Sequence, residues 1–393
     1  MDFATRMSRL GTETAFEVLA RAQALEAQGK SVVHLEIGEP DFDTPEHIRR
    51  AAAAALDGGW THYGPSAGLR DLREVIAVYI EKTRGIYVEP EQIIVTPGGK
   101  PVIFYTMLML LQEGDEAIYP NPGFPIYRSM IDFVGAKAVP LRLREDRNWS
   151  FDVDELASLI TPRTKLIVLN SPHNPTGGTL DHATLRGIAA LAEKHPFTIL
   201  SDEIYSRMLY GGTHESIATF PGLQERTILL DGFSKTYAMT GWRLGYGVMT
   251  KPLAVHMARL MTNSNSCTNV FVQKAGIAAL TGPQGPAEEM VAEFHRRRDR
   301  IVAGLNALPG VTCTIPGGAF YAFPNITGTG MASADLARAL LEEAGVAALS
   351  GTAFGKYGEG YLRLSYANSI PNIDTALGRI GAWLEERMKA RAR

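Results

Sequence analysis

Lys235 and Arg243 lie in the string Asp231-Gly-Phe-Ser-Lys-Thr-Tyr-Ala-Met-Thr-Gly-Trp-Arg-Leu-Gly-Tyr-Gly247, between apolar runs at 227–230 and 244–249. A lysine at the mouth of a buried sheet is costly unless it is paired or used. Partly desolvated, it loses its proton more easily and becomes a nucleophilic amine able to form a Schiff base. An arginine at close range offers a permanent fork of donors suited to a phosphate. Thr96-Pro-Gly-Gly-Lys-Pro101 opens a helical run. Free N–H groups at a helix start, with glycines allowing close approach, form an anion cradle. Asp202, in Ser201-Asp-Glu-Ile-Tyr205, ends an apolar run and needs a partner there. Asn174 sits in the proline-dense loop Asn170-Ser-Pro-His-Asn-Pro-Thr-Gly177, where a fixed asparagine can donate to a phenolate oxygen. Each signal is weak alone: a Ser-Lys pair is usually a surface loop, and Asn-Pro-Thr-Gly is a turn.

Their places in the chain connect them. Apolar β-type runs occur at 93–96, 117–119, 138–141, 166–169, 198–200, 227–230 and 244–249, separated by segments such as 101–112, 151–160 and 181–195 that read as helical or irregular. Strands interleaved with helices predict an α/β fold: a mostly parallel seven-stranded sheet with helices on both faces. Ligands of such open sheets bind beyond the carboxyl ends of the strands, and the residues named above follow strand ends. Upstream, 1–30 reads as a helical arm, 32–37 as a short strand entering the turn Gly38-Glu-Pro-Asp41, and 45–56 as a helix. The stretch 251–280 is helical with a polar interruption at 262–269.

Beyond Gly282-Pro-Gln-Gly-Pro286 a smaller α+β unit is expected, with helices at 287–308 and 333–343, strands at 311–314, 319–323 and 361–365, and a last helix at 372–389 with a charged tail. The run His295-Arg-Arg-Arg298 is expected on a solvated helix face. The division predicted is a large domain at 45–282 and a small one combining 1–44 with 283–393.

A chain of 393 residues is long enough for two domains. Its net charge of −3 and the lack of a basic stripe argue against nucleic acid as a partner. Cys267 and Cys313 lie far apart, which excludes a disulfide framework and a multi-cysteine zinc site and suits a reducing cytoplasm; no metal is expected. The first thirty residues carry no apolar core of a signal peptide. The apolar run 103–111 is about half of what a membrane span needs, so no membrane association is expected.

The string Ser234-Lys235 with Ala238-Met-Thr-Gly-Trp-Arg-Leu-Gly-Tyr246 resembles the lysine signature of the class I/II (fold-type I) aminotransferases, which hold pyridoxal phosphate. The resemblance extends over nearly the whole chain and implies roles residue by residue. Lys235 would carry the cofactor. Gly99 and Lys100 would hold its phosphate through backbone N–H groups, with Ser234 and Arg243 alongside. Phe124, in Tyr119-Pro-Asn-Pro-Gly-Phe-Pro-Ile-Tyr127, would stack on its ring. Asp202 would pair with the ring nitrogen, and Asn174 and Tyr205 would bond the ring oxygen. Ile37-Gly38 matches the segment that closes over substrate, with Gly38 against it. Arg363, in Arg363-Leu-Ser-Tyr-Ala367, would grip the substrate α-carboxylate beside Asn174. Tyr63, in Tyr63-Gly-Pro-Ser-Ala-Gly-Leu69, would reach across a dimer interface to the neighbour's phosphate, so a homodimer is expected.

The activity implied is transfer of an amino group between an L-amino acid and a 2-oxo acid by a ping-pong route, with Lys235, Asp202 and Tyr205 catalytic and Lys235 moving the Cα proton. A lyase of the carbon–sulfur β-lyase type on the same fold is the alternative, and a non-catalytic regulator a more distant one. Some aspartate-specific relatives place an arginine near 263–269 for the distal carboxylate; none stands there, and Lys100 is the remaining source of charge. The substrate side chain is left open.

Overall fold

The seven apolar runs become the seven strands of one sheet. The computed structural model describes residues 2–391. In chain order the elements are α1 (Thr14–Glu26), β1 (Val33–His34), α2 (Glu46–Asp57) and α3 (Arg70–Arg84). Then come β2 (Ile93–Thr96), α4 (Lys100–Leu110), β3 (Glu116–Asn121), α5 (Ile126–Phe133), β4 (Lys137–Arg142), α6 (Val153–Leu159), β5 (Thr164–Asn170), α7 (His182–Lys194), β6 (Thr198–Asp202), β7 (Thr227–Gly232) and β8 (Gly245–Val248). The strand order is β2-β8-β7-β6-β5-β3-β4, and only β8 is antiparallel to its neighbours. All residues of β2, β3, β7 and β8 are buried. Alternate strand residues serve opposite faces: Val95 and Leu229 join one core, Ile94 and Leu230 another. Both faces are covered, so these runs read as apolar without alternation.

The reversal of β8 decides where the chemistry lies. The chain leaves β7 at its carboxyl end, turns through residues 233–244 and returns as β8, so Lys235 and Arg243 share an edge with the ends of β2, β5 and β6. The return is tight: a Cβ on Gly245 would stand 2.7 Å from the carbonyl carbon of Gly98. Backbone therefore packs on backbone between this turn and the start of α4.

The chain continues as α8 (Lys251–Asn265), α9 (Val270–Thr281), α10 (Gly285–Asn306), β9 (Tyr321–Ala322), α11 (Ser333–Ala339), β10 (Val346–Ala347), β11 (Leu349–Ser350), β12 (Leu362–Ser365) and α12 (Ile370–Arg391). The polar interruption is the break between α8 and α9, where Ser266 takes φ +62°. A β11-β12-β9 sheet and the parallel β1-β10 pair complete the fold. Residues 392–393 of the expected charged tail lie outside the described residues. Among those described, no helix is long and apolar enough to cross a membrane.

Three expectations are corrected. The strand predicted at 311–314 is only a bridge between Thr312 and Asn325. The Asn306 side chain takes both the N–H (2.9 Å) and the carbonyl (3.0 Å) of Cys313, leaving no ladder to form. The strand at 32–37 shortens to β1 because Glu36 to Gly38 turn away towards Arg363, Tyr321 and Lys235. The basic run at 295–298 is a solvated face only in part: the His295 and Arg296 side chains are exposed, those of Arg297 and Arg298 are not. Arg297 is 6% exposed, lies over the rings of Phe42 and Phe294, and pairs with Asp41 (2.6 Å) and Glu293 (3.0 Å).

Candidate active site

A cavity of about 500 Å³ opens at the strand ends. Gly38, Gly99, Lys100, Phe124, Asn174, Asp202, Tyr205, Ser234, Lys235, Arg243 and Arg363 all line it. Of the residues expected at the site only Tyr63 does not. Its side chain is 89% exposed, and its hydroxyl has no partner among the described residues of this chain.

Lys235 donates from Nζ to the Gly38 carbonyl and lies 5.5 Å from the Phe320 ring centroid and 5.8 Å from that of Tyr205. Burial lowers its pKa to about 8; Arg363 and Arg243 push the same way and Glu39 opposes. Near neutral pH this amine therefore gives up a proton far more readily than an ordinary lysine. Its loop holds two non-glycine residues in the left-handed region, Ala238 (φ +49°) and Arg243 (φ +56°), a conformation that persists only where the surroundings enforce it. Arg243 donates to the carbonyls of Thr240 (2.8 Å) and Pro97 (3.3 Å). It lies so close over Gly98 that a Cβ there would stand 2.1 Å from Nη2.

At the end of β6, Asp202 accepts from the Tyr127 hydroxyl (2.7 Å) and the Ile204 N–H (3.3 Å). Burial raises its pKa to about 6, against the pull of the Tyr127 bond. Tyr205 shares a 2.7 Å hydrogen bond with the Tyr321 hydroxyl, and burial raises the pKa of both phenols. Behind these strand ends, Arg84 binds Glu203 (3.1 Å) and Asp231 (2.6 Å) out of reach of water.

Arg363 is 4% exposed and forms no ion pair among the described residues. Its Nη1 donates to Asn174 Oδ1 (3.3 Å), its Nη2 to the Glu36 carbonyl, and its Nε has no partner. The rings of Tyr321 and Phe354 lie 4.7 and 5.0 Å from Cζ. A buried guanidinium left with an open donor is built for an anion. Asn174 is itself fixed by its N–H bond to Asn170 Oδ1 (3.0 Å).

The donor set has four distinct ends. The first-turn N–H groups of α4 lack helical acceptors and, with Ser234 and Arg243, suit a phosphate. Asp202 suits a cationic ring nitrogen, Lys235 an electrophilic carbon, and Arg363 a separate carboxylate. The first three ends match pyridoxal phosphate, so the residues present fit the cofactor that the resemblance implies.

Sequence reasoning missed Tyr127, Glu13 and Phe16, all in the cavity wall. Tyr127 carried no signal of helical spacing, because Phe124 lies before the first residue of α5, Ile126. The arm residues carried none.

The model for "aminotransferase class I and II" matches residues 30–380. An aspartate aminotransferase of Pyrococcus horikoshii is 43% identical over 374 residues, 94% of each chain. An aromatic-amino-acid aminotransferase of Thermococcus litoralis is 40% identical, over 92% of this chain and 94% of its own. Among solved structures, the aspartate aminotransferase of Rhizobium meliloti superposes with a TM-score of 0.94 at 36% identity, over 98% of this chain and 99% of its own.

Proposed function

The chain belongs to the aminotransferase class I and II family and is an amino-acid aminotransferase; on that premise we propose that its cavity binds pyridoxal phosphate and that Lys235, Asp202 and Arg363 carry the reaction. The observation that supports this reading best is the convergence of a low-pKa amine, a buried ionisable carboxylate and a buried unpaired guanidinium on one cavity.

The cofactor supplies an aldehyde carbon that links to amines and a ring that withdraws electrons from the attached amino acid. The other tasks fall to the chain. Arg363 holds the substrate α-carboxylate through its open donors, with Asn174 limiting its rotation. This anchors Cα beside Lys235, whose amine takes a proton there and returns it one carbon away. A pKa near 8 allows both directions near neutral pH. Asp202 presents fixed negative charge to the ring nitrogen, and Tyr127 keeps its carboxylate aimed. The Tyr205 hydroxyl, fixed by Tyr321, and Asn174 serve the ring oxygen. Arg243, Ser234 and the start of α4 hold the phosphate. Tyr63, exposed on its own chain, belongs to the site of a second copy in a homodimer.

The experiment that tests this is a single half-reaction. Purified protein loaded with pyridoxal phosphate is mixed with individual amino acids and no keto acid, and the cofactor absorbance is followed. Conversion to the pyridoxamine form with stoichiometric keto acid is expected. Steady release of ammonia without conversion would contradict it.

A further inference from the structure

The N-terminal arm puts a carboxylate into the cavity wall. Glu13, at the start of α1, lines the cavity together with Ala15 and Phe16. It forms an ion pair with Lys100, the first residue of α4. The Lys100 ammonium also lies 5.7 Å from the Phe124 ring centroid. The pair stands at the mouth, with the Lys100 side chain 45% exposed and that of Glu13 24%. The Glu13 charge is felt by Lys235, Arg363 and Tyr321, so it is close to the reacting centre.

Among the described residues, four cations line this cavity. Arg363, Arg243 and Lys235 have the roles proposed above, which leaves Lys100, among these described residues, for a substrate side chain. The apolar part of the cavity wall includes Phe16, Ile37, Ile103 and Phe124, the last of them against Lys100. An amino acid held by its α-carboxylate at Arg363 therefore shares this cavity with a cation that is already neutralised and with apolar groups.

We propose that Glu13 is a specificity-determining residue: it occupies Lys100 in competition with the side-chain carboxylate of an acidic substrate, and so shifts selection towards uncharged aromatic or apolar amino acids. The proposal rests on the aminotransferase reading. Glu13 is tethered, so its effective concentration at Lys100 is high. An acidic side chain must displace it and then face it as a like charge. If Lys100 is unpaired in about a tenth of molecules, an acidic ligand binds about tenfold more weakly than its contacts allow. An aromatic side chain leaves the pair intact and packs on the apolar wall.

The test uses holoenzyme and two readouts: kcat/KM for aspartate and for phenylalanine, and calorimetric dissociation constants for succinate and hydrocinnamate, which do not react. Glu13→Gln is expected to raise the aspartate-to-phenylalanine ratio, and to tighten succinate relative to hydrocinnamate, by about tenfold. Glu13→Ala should agree, and the gain should vanish in a Lys100→Gln background. Ratios unchanged within about twofold in both Glu13 variants, or a gain that persists without Lys100, would overturn the proposal. A wild-type holoenzyme that converts no amino acid would instead remove the reading beneath it.

Discussion

Arg363 and Asp202 face the same cavity with opposite unmet needs. The guanidinium has an open Nε and no counter-charge, so substrate binding supplies what folding left out. Arg363→Ala should weaken substrate binding by about 2–5 kcal/mol, as for removal of one partner of a buried charge pair. Unchanged kinetics for the variant would end that assignment. Asp202 has a folded pKa of about 6 against an ordinary value of 3.8. A raised carboxyl pKa means the folded state holds its proton longer. The group costs nothing below about pH 4; its penalty grows to pH 6 and then stays at about 3 kcal/mol. Asp202→Asn, whose amide oxygen still accepts from Tyr127, should therefore stabilise the cofactor-free protein at pH 8. The gain should shrink towards pH 5 in denaturant titrations, and reverse in sign when bound cofactor places a cation opposite the carboxylate. A pH-independent difference would contradict the assigned burial. At this scale the sequence was legible where a residue sat in a long string, as Lys235 and Arg363 do. It was not legible for Tyr127 and Glu13, whose importance comes from what the fold sets opposite them.

Strand ends position these groups, and a charge network positions the strand ends. Arg84, the last residue of α3, bridges Glu203, next to Asp202, and Asp231, four residues before Lys235. Burial alone would raise the pKa of Glu203, but His214, Arg84 and Ser216 hold it at about 2. Arg84→Ala strands the buried Asp231 and leaves Glu203 with His214 as its remaining ion-pair partner. Breaking such a network by removing one partner costs about 3–5 kcal/mol, read as a fall in urea midpoint at pH 7. Protonation relieves a stranded carboxylate, so the loss should be smaller at pH 5. A loss that does not change with pH would point to packing as the cause. The strands were readable because both sheet faces are buried, which forces apolar runs. The missing strand at 311–314 and the buried Arg297 were not. Asn306 in one case, and Asp41 with Phe42 in the other, are partners from other elements that outweigh the local pattern.

One residue of the expected site stands apart from the rest in the whole molecule. Tyr63 is exposed and faces none of the cavity its own chain builds. A phenol on a glycine- and proline-rich loop with no partner among the described residues of its chain is a poor use of a large side chain unless another surface covers it. We propose that this surface is a second copy, related by a twofold axis, so that each site borrows Tyr63 from its neighbour. Complementation tests this without a structure of the dimer. Tyr63→Ala and Lys235→Ala each impair every site when alone. In a refolded equimolar mixture, half of the dimers are mixed. In a mixed dimer the chain that keeps Lys235 receives Tyr63 from its partner, and one site is whole while the other carries both lesions. About one quarter of all sites should then recover wild-type turnover. If Tyr63 served its own chain, both sites of the mixed dimer would carry one lesion and no activity would return. The two arrangements differ in sign, not in degree, so partial refolding lowers the recovery expected but does not create it.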